Sequence, residues 1–186
     1  MTPSEQAALA SIVDEGIERK LATLTPEKIR AVIDAVLNSE TGSRLKAYLK
    51  TCVRCGLCSD ACHFFLSFDR DPAFSPAGKI RQTLELFIRE KNRLTADQIR
   101  KAAVIAYTEC NLCRRCVLYC PFGVDTAYMI GVVRRICHRL GVTPLYIQDT
   151  AHSHSATMNQ MWVKDDEWRD TLQWQEEEAR EEFPGL

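Results

Sequence analysis

Apolar residues recur at helical spacing from the start of the chain. Leu9, Ile12, Val13, Ile17, Leu21 and Leu24 fall three or four positions apart with charges between them, as one face of a helix requires. Thr25 followed by Pro26 is a start signal, a capping residue before a proline in the first turn. Ile29, Val32, Ile33, Val36 and Leu37 then supply a second apolar face. A break is expected at 38–42, before a short segment from Leu45 to Leu49. Further along, Ser75-Pro76 opens a helix whose apolar face is Ile80, Leu84, Phe87 and Ile88. Thr95 with Gln98 forms a capping box for the next, which carries Ile99, Ala103 and Ala106. Asp125 caps a helix running to Leu140, and Gly141 stands where a left-handed terminus is wanted. No alternating run of five or more residues predicts a strand, so the fold class is all-α.

Two stretches read differently. Residues 143–164 have no steady period and are rich in Thr, Ser, His, Asn and Gln, which predicts a linker or arm. Residues 165–182 resume a helical texture, with Trp168, Leu172 and Ala179 on one side and dense glutamate elsewhere. The expected organisation is a helical N-terminal extension over 1–44, a core domain over 45–141, and a linker arm plus acidic amphipathic helix over 142–186. The last of these is a candidate for partner binding, since Trp168 and Trp174 favour something to pack against.

Charge and composition narrow the function classes. The net charge of −1 hides an uneven distribution: residues 165–186 hold nine acidic side chains against Arg169 and Arg180, a balance of −7. The rest of the chain has 22 basic and 16 acidic side chains, and that excess of +6 is too scattered to argue for nucleic acid. No stretch approaches the ~18 apolar residues of a membrane span. The N-terminus lacks the basic start and apolar run of a secretory signal, so a cytoplasmic location is expected. There is no Gly-rich nucleotide loop after a strand and no Gly-x-Ser-x-Gly elbow. Nor is there a carboxylate pair at a defined spacing, so catalysis by this chain alone is not expected.

The nine cysteines carry the chemistry. Eight fall in two blocks, Cys52-x2-Cys55-x2-Cys58-x3-Cys62 and Cys110-x2-Cys113-x2-Cys116-x3-Cys120, at a constant offset of 58 that also pairs Phe64 with Phe122. An odd total argues for reduced thiolates rather than a disulfide framework. The spacing is that of the bacterial [4Fe–4S] run, in which three closely spaced cysteines hold one cluster and the fourth reaches the other. The expected sets are Cys52, Cys55, Cys58 and Cys120 for one cluster, and Cys110, Cys113, Cys116 and Cys62 for the second. Zinc is the competing reading, since four thiolates also close a tetrahedral site, although zinc sites ordinarily use two separated pairs. Cys120 is followed by Pro121, whereas Cys62 is followed by His63, which with four cysteines present reads as a surface histidine or one that supports a cluster, against the alternative of a ligand. Arg54, Arg114 and Arg115 sit inside the loops, where they either raise a potential, dock an acidic partner or stay solvated. Cys137 lies on the stripe Ala127, Ile130, Val133, Cys137, Leu140 and reads as a buried structural thiol. His152 and His154 have no further ligand in register and are assigned no metal.

Two four-iron runs separated by a helical pair resemble the α-helical ferredoxin fold. The runs Thr51-Cys-Val-Arg-Cys-Gly-Leu-Cys-Ser-Asp-Ala-Cys-His-Phe and Cys110-Asn-Leu-Cys-Arg-Arg-Cys-Val-Leu-Tyr-Cys-Pro-Phe-Gly are similar to those of the C-type subunit of heterodisulfide reductases. They are also similar to the N-terminal part of DsrK-type proteins. The resemblance is best over 45–141 and extends more weakly through Asp149-Thr-Ala-His-Ser-His-Ser and the 168–182 segment. It implies an electron-transfer subunit with two [4Fe–4S] clusters. Such a chain relays electrons between a catalytic B-type subunit, which carries Cys-Cys-Gly motifs, and a flavin-containing A-type subunit or quinone-linked module. No Cys-Cys pair occurs in this chain, which ends at Leu186, so the catalytic domain is expected to be a separate subunit. The second run and the arm resemble the heterodisulfide reductase-like branch from sulfur oxidisers, which implies a role in sulfur metabolism. The alternative is the iron–sulfur subunit of a glycerol-3-phosphate or succinate-type dehydrogenase. Against the latter, residues 1–51 contain no cysteine for the usual [2Fe–2S] domain.

Overall fold

The computed structural model describes residues 14–185. Among these the secondary structure is helical throughout, with no strand. The helices are α1 (Glu15–Leu21), α2 (Pro26–Leu37), α3 (Glu40–Thr51), α4 (His63–Ser67), α5 (Pro76–Gln82), α6 (Leu84–Glu90), α7 (Ala96–Thr108), α8 (Arg115–Leu118), α9 (Thr126–Leu140), α10 (Leu145–Thr157) and α11 (Asp165–Glu182). Leu9, Ile12 and Val13, expected on the first helix, lie outside the described residues; Ile17 and Leu21 are buried on α1.

The start signals act as expected. Thr25 Oγ1 accepts the Lys28 amide at 3.3 Å with Pro26 in the first turn of α2. Ser75 Oγ accepts the Gly78 amide at 2.9 Å. Thr95 and Gln98 exchange both bonds of a capping box, at 3.2 and 2.9 Å. Gly141 closes α9 at φ 78°, a left-handed conformation that glycine adopts without the Cβ penalty.

Helix α9 is the centre of the cysteine-bearing unit, in contact with α2, α5, α6, α7 and α8. Its buried face (Met129, Ile130, Val133, Ile136, Cys137 and Leu140) meets Ala102, Ala103 and Ala106 of α7, all fully buried. Small residues on α7 let the two backbones approach closely. Phe87 of α6 is fully buried in the same core. Burial of a side chain of that size stabilises the fold by roughly 1.5–3 kcal/mol. Arg100 of α7 grips both carboxylate oxygens of Glu18, with Nη2 donating to Oε2 at 2.9 Å, and so ties α1 to the core.

Three elements differ from expectation. The break expected over 38–42 is confined to Asn38 and Ser39, and α3 begins at Glu40. The face Ile80, Leu84, Phe87 and Ile88 is split between two helices, because Thr83 leaves helical geometry at φ −118°, ψ −82°. Its hydroxyl donates to the Lys79 carbonyl at 2.7 Å, a bond to the preceding turn that bends helices. Ile80, Leu84 and Phe87 are buried all the same, while Ile88 is half-buried.

The third correction is the expected arm, of which Leu145–Thr157 is a helix. Its side chains form no apolar stripe, so periodicity has nothing to read. Thr150, Ser155 and Thr157 instead donate to the carbonyls of Tyr146, Ala151 and Ser153 at 2.7, 2.9 and 2.8 Å. After it, Asn159 knots the chain: Nδ2 donates to the Val163 carbonyl at 2.6 Å, and Oδ1 accepts the amides of Met161 and Val163. Fully buried Ser153 accepts the Trp162 amide at 2.8 Å, and His152 packs edge-on against the Trp162 ring.

The chain divides into two compact units, one ending at Pro144 and the other beginning at Leu145. In the second, α11 spans the residues expected and buries none of them. Among the described residues no helix is long and apolar enough to cross a membrane.

Candidate iron–sulfur centres

The two cysteine loops share a backbone as well as a spacing. Arg54 and Gly56 have φ of 56° and 87°; Leu112 and Arg114, at the same offset of 58, have φ of 58° and 63°. Each pair of left-handed residues flanks the middle cysteine of its triplet, Cys55 or Cys113. Alternation of this kind turns successive amides toward one concavity, the nest that Fe–S sites use to hold their negative charge. Three of the four positions are not glycine, and each of those costs about 1–2 kcal/mol. Strain repeated at matching positions marks a conformation that the loops need.

Each loop borders a cavity. One is walled by Cys52, Cys55, Cys58 and Cys120, with Val53, Phe122 and Val124 around them, and has about 390 Å³ of free space including its open mouth. The other is walled by Cys62, Cys110, Cys113 and Cys116, with Phe64, Leu112 and Ile130, and has about 400 Å³. In both, three cysteines come from one block and the fourth from the other. The expected sets are thus the sets that the fold brings together. Among the described residues no three His, Cys, Asp or Glu side chains converge tightly enough for one metal ion. The thiols surround a body instead of meeting at a point, and this donor set, eight sulfurs and two equal cavities, fits two cubane clusters.

The walls make three of the thiols hard to ionise. Burial pushes up Cys58 and Cys110, and pushes Cys116 up to about 12. A metal centre must therefore expel those protons as it binds. Cys55 and Cys113 are exposed at the mouths. Cys120 Sγ accepts the Val124 amide at 3.3 Å, and Cys62 Sγ accepts from Lys79 Nζ at 3.7 Å.

The loop arginines are largely neutralised. Arg54 Nη2 donates to both oxygens of Glu85 at 2.9 Å, and Arg114 Nη2 donates to Asp125 Oδ2 at 2.6 Å. Arg115 is exposed and forms no ion pair among the described residues. His63 lines the second cavity and lies tilted against Phe64 with ring centroids 4.3 Å apart. Cys137 is fully buried on α9, away from both cavities, and burial pushes its thiol up to about 12.

Two cations beside the second set of cysteines, one lining its cavity and one bonded to the Cys110 carbonyl, escape a reading of the sequence. Lys79 is 2% exposed, lines the cavity, donates to the Glu109 carbonyl and sits 4.5 Å from the Phe64 ring centroid. Arg134 donates to the carbonyls of Ala106 and Cys110 at 2.8 and 2.6 Å. Each sits on an otherwise ordinary helix, 17 and 14 residues beyond the last cysteine of its block, where no spacing rule points. A buried lysine side chain is the only signal, and burial is a tertiary property.

Residues 48–124 match the 4Fe-4S dicluster domain family. Among curated proteins, the chain is 30% identical over 135 residues to the Hdr-like menaquinol oxidoreductase iron-sulfur subunit 2 of Archaeoglobus fulgidus. It is 28% identical over 134 residues to the Hdr-like menaquinol oxidoreductase iron-sulfur subunit of Archaeoglobus profundus. Both alignments take in 66% of this chain and 24% of the relative, so the chain spans about a quarter of the length of the relatives it matches. No solved structure matches it. A helical unit with two four-cysteine cavities, a dicluster domain match over the same residues and these two relatives support a heterodisulfide reductase-like iron–sulfur family for the chain.

Proposed function

We propose that this chain is the electron relay of a heterodisulfide reductase-like complex, holding two [4Fe–4S] clusters on the sets Cys52/Cys55/Cys58/Cys120 and Cys110/Cys113/Cys116/Cys62. The observation that carries the reading is the pair of near-equal cavities, each walled by three cysteines of one block and one of the other. Clusters bound there supply one-electron transfer. The chain's own residues set the terms on which they do so: α9 and its neighbours fix the separation of the two loops, and Phe64, Phe122, Val124 and Ile130 keep water from the inner walls.

The relay runs between a catalytic subunit with Cys-Cys-Gly motifs and a flavin- or quinone-linked partner. The relatives, which are named as menaquinol oxidoreductase subunits, support the quinone-linked arm. The similarity of the second cysteine run to the branch from sulfur oxidisers supports a sulfur-metabolising setting. An apolar collar, with Val53, Leu57, Leu118, Tyr119 and Phe122 all exposed, surrounds the cysteine loops and offers a docking face for a redox partner.

Iron and acid-labile sulfide in anaerobically purified protein, with EPR after dithionite reduction, test this. About eight of each per chain and a spectrum of two interacting centres are expected. Stoichiometric zinc without sulfide, in protein never exposed to air, would overturn the proposal.

A further inference from the structure

The two cavities are alike in size and sulfur but not in charge. Among the described residues, the only charged side chain lining the cavity of Cys52, Cys55, Cys58 and Cys120 is Arg54, and both oxygens of Glu85 balance it. The cavity of Cys62, Cys110, Cys113 and Cys116 has Arg114, balanced by Asp125, and in addition buried Lys79. The Lys79 ammonium donates to Cys62 Sγ at 3.7 Å, to a backbone carbonyl, and lies against the Phe64 ring. Arg134 donates to the carbonyl of Cys110 itself, and its guanidinium sits 5.2 Å from the Tyr107 ring centroid. Among the described residues neither Lys79 nor Arg134 forms an ion pair with a carboxylate. Lys79 acts electrostatically on the Glu109 carboxyl without an ion pair to it, and both cations act on the Cys110 sulfur.

We infer that Lys79 and Arg134 make the two centres unequal, setting the one held by Cys62, Cys110, Cys113 and Cys116 at the higher reduction potential, so that it is where an electron comes to rest within the chain. The inference stands on the proposed function above. Reduction of a cluster adds one negative charge without a proton or a change of bonds, the electron coming from a reduced flavin- or quinone-linked donor. Hydrogen bonds to the sulfurs and nearby positive charge favour that added electron, and burial keeps water from screening it. Lys79 meets both conditions at Cys62. At Cys120 the matching donor is a neutral amide, that of Val124. Lys79 and Arg134 are positioning residues for the electron, and they ligate nothing.

The test is an anaerobic potentiometric titration of the full chain followed by EPR, on protein whose iron and sulfide have been counted first. A wild-type count far from about eight of each defeats the proposed function before any potential is read, which separates that failure from this one. With the premise in place, two midpoint potentials are expected. Lys79→Met lowers the upper one by at least a tenfold change in the reduction equilibrium, about 59 mV for one electron. It leaves the lower one in place, and Lys79→Arg restores most of the loss. Arg134→Gln, read independently, shifts the same potential in the same direction even where Lys79→Met fails to load iron. In Cys113→Ser, whose residue is exposed at the mouth, the upper-potential signal is the one that changes. An upper potential unmoved in both Lys79→Met and Arg134→Gln, or a Cys113→Ser variant that alters the lower signal instead, overturns the inference.

Discussion

Arg114 Nη2 donates to Asp125 Oδ2 at 2.6 Å while Asp125 Oδ1 accepts the Tyr128 amide at 2.8 Å, so one buried carboxylate ties the second cysteine loop to the first turn of α9. Losing the cap costs about 1 kcal/mol and losing a bond to a charged group roughly 1.5–3 kcal/mol. Asp125→Ala should therefore lower stability by more than Asp125→Asn, which can still cap. Denaturant unfolding under argon checks the order, and equal losses in the two variants would mean that the cap on the Tyr128 amide contributes nothing.

The cross-block sets make a sharp prediction for single substitutions. Cys62→Ser should deplete the centre that also uses Cys110, Cys113 and Cys116, and Cys120→Ser the one that uses Cys52, Cys55 and Cys58. Each variant should keep about four iron, and EPR of the two should show different surviving signals. If Cys62→Ser instead removes the signal that Cys55→Ser removes, the blocks are self-contained.

Gly56 and Arg114 hold the same left-handed place in the two loops, and a Cβ built on Gly56 meets nothing within 4 Å. Gly56→Ala should cost only the backbone term, ~1–2 kcal/mol, and leave iron content unchanged. Loss of iron in this variant would show that the first loop needs more freedom than the second.

Cys137 offers a pH dependence free of the metal sites. Its folded value is about 12 against an ordinary 9.0. Between those values the unfolded chain has released this proton and the folded one retains it. The thiol's contribution to stability is complete below pH 9 and falls by ~1.4 kcal/mol per unit as pH rises toward 12. Cys137→Ala, compared at the same iron content, should unfold with a shallower slope between pH 9 and about 11. Parallel slopes would refute the assignment.

Removing residues 165–186 should leave both centres filled, since neither cavity is lined by anything beyond Ile130. The deleted helix exposes Trp168, Leu172 and Trp174 on a segment with a charge of −7. Co-purification with a Cys-Cys-Gly-containing subunit should weaken, and in the intact chain that association should be sensitive to salt. An unchanged complex would remove the tail from the interface.

How much of this was legible in the sequence follows from which signals are local. Caps, turn prolines and the α9 stripe are written within four residues of one another, and Thr25, Ser75, Thr95, Asp125 and Gly141 all behave as read. The grouping of the cysteines around two cavities was legible too, because eight sulfurs in two blocks of fixed spacing have few ways to be arranged. Helix α10 was not, since it is held by hydroxyls and an asparagine knot where periodicity looks for an apolar face. Nor was Lys79, whose importance comes from the 30-residue reach to the Glu109 carbonyl and the 17-residue reach to Cys62. The loop arginines stood out in the sequence, yet Glu85 and Asp125 neutralise two of them.

The crossing of the blocks also fixes an order of events during synthesis. A growing chain that has not reached Cys110 presents three walls of the first cavity and one of the second, so neither can close around its contents. Only after Cys120 has emerged, and α9 has formed to draw the two loops together, are four thiols available on either side. On the proposed ligand sets, metal loading is a step that waits for the finished fold, and a truncated or stalled chain exposes bare thiols instead of half a relay.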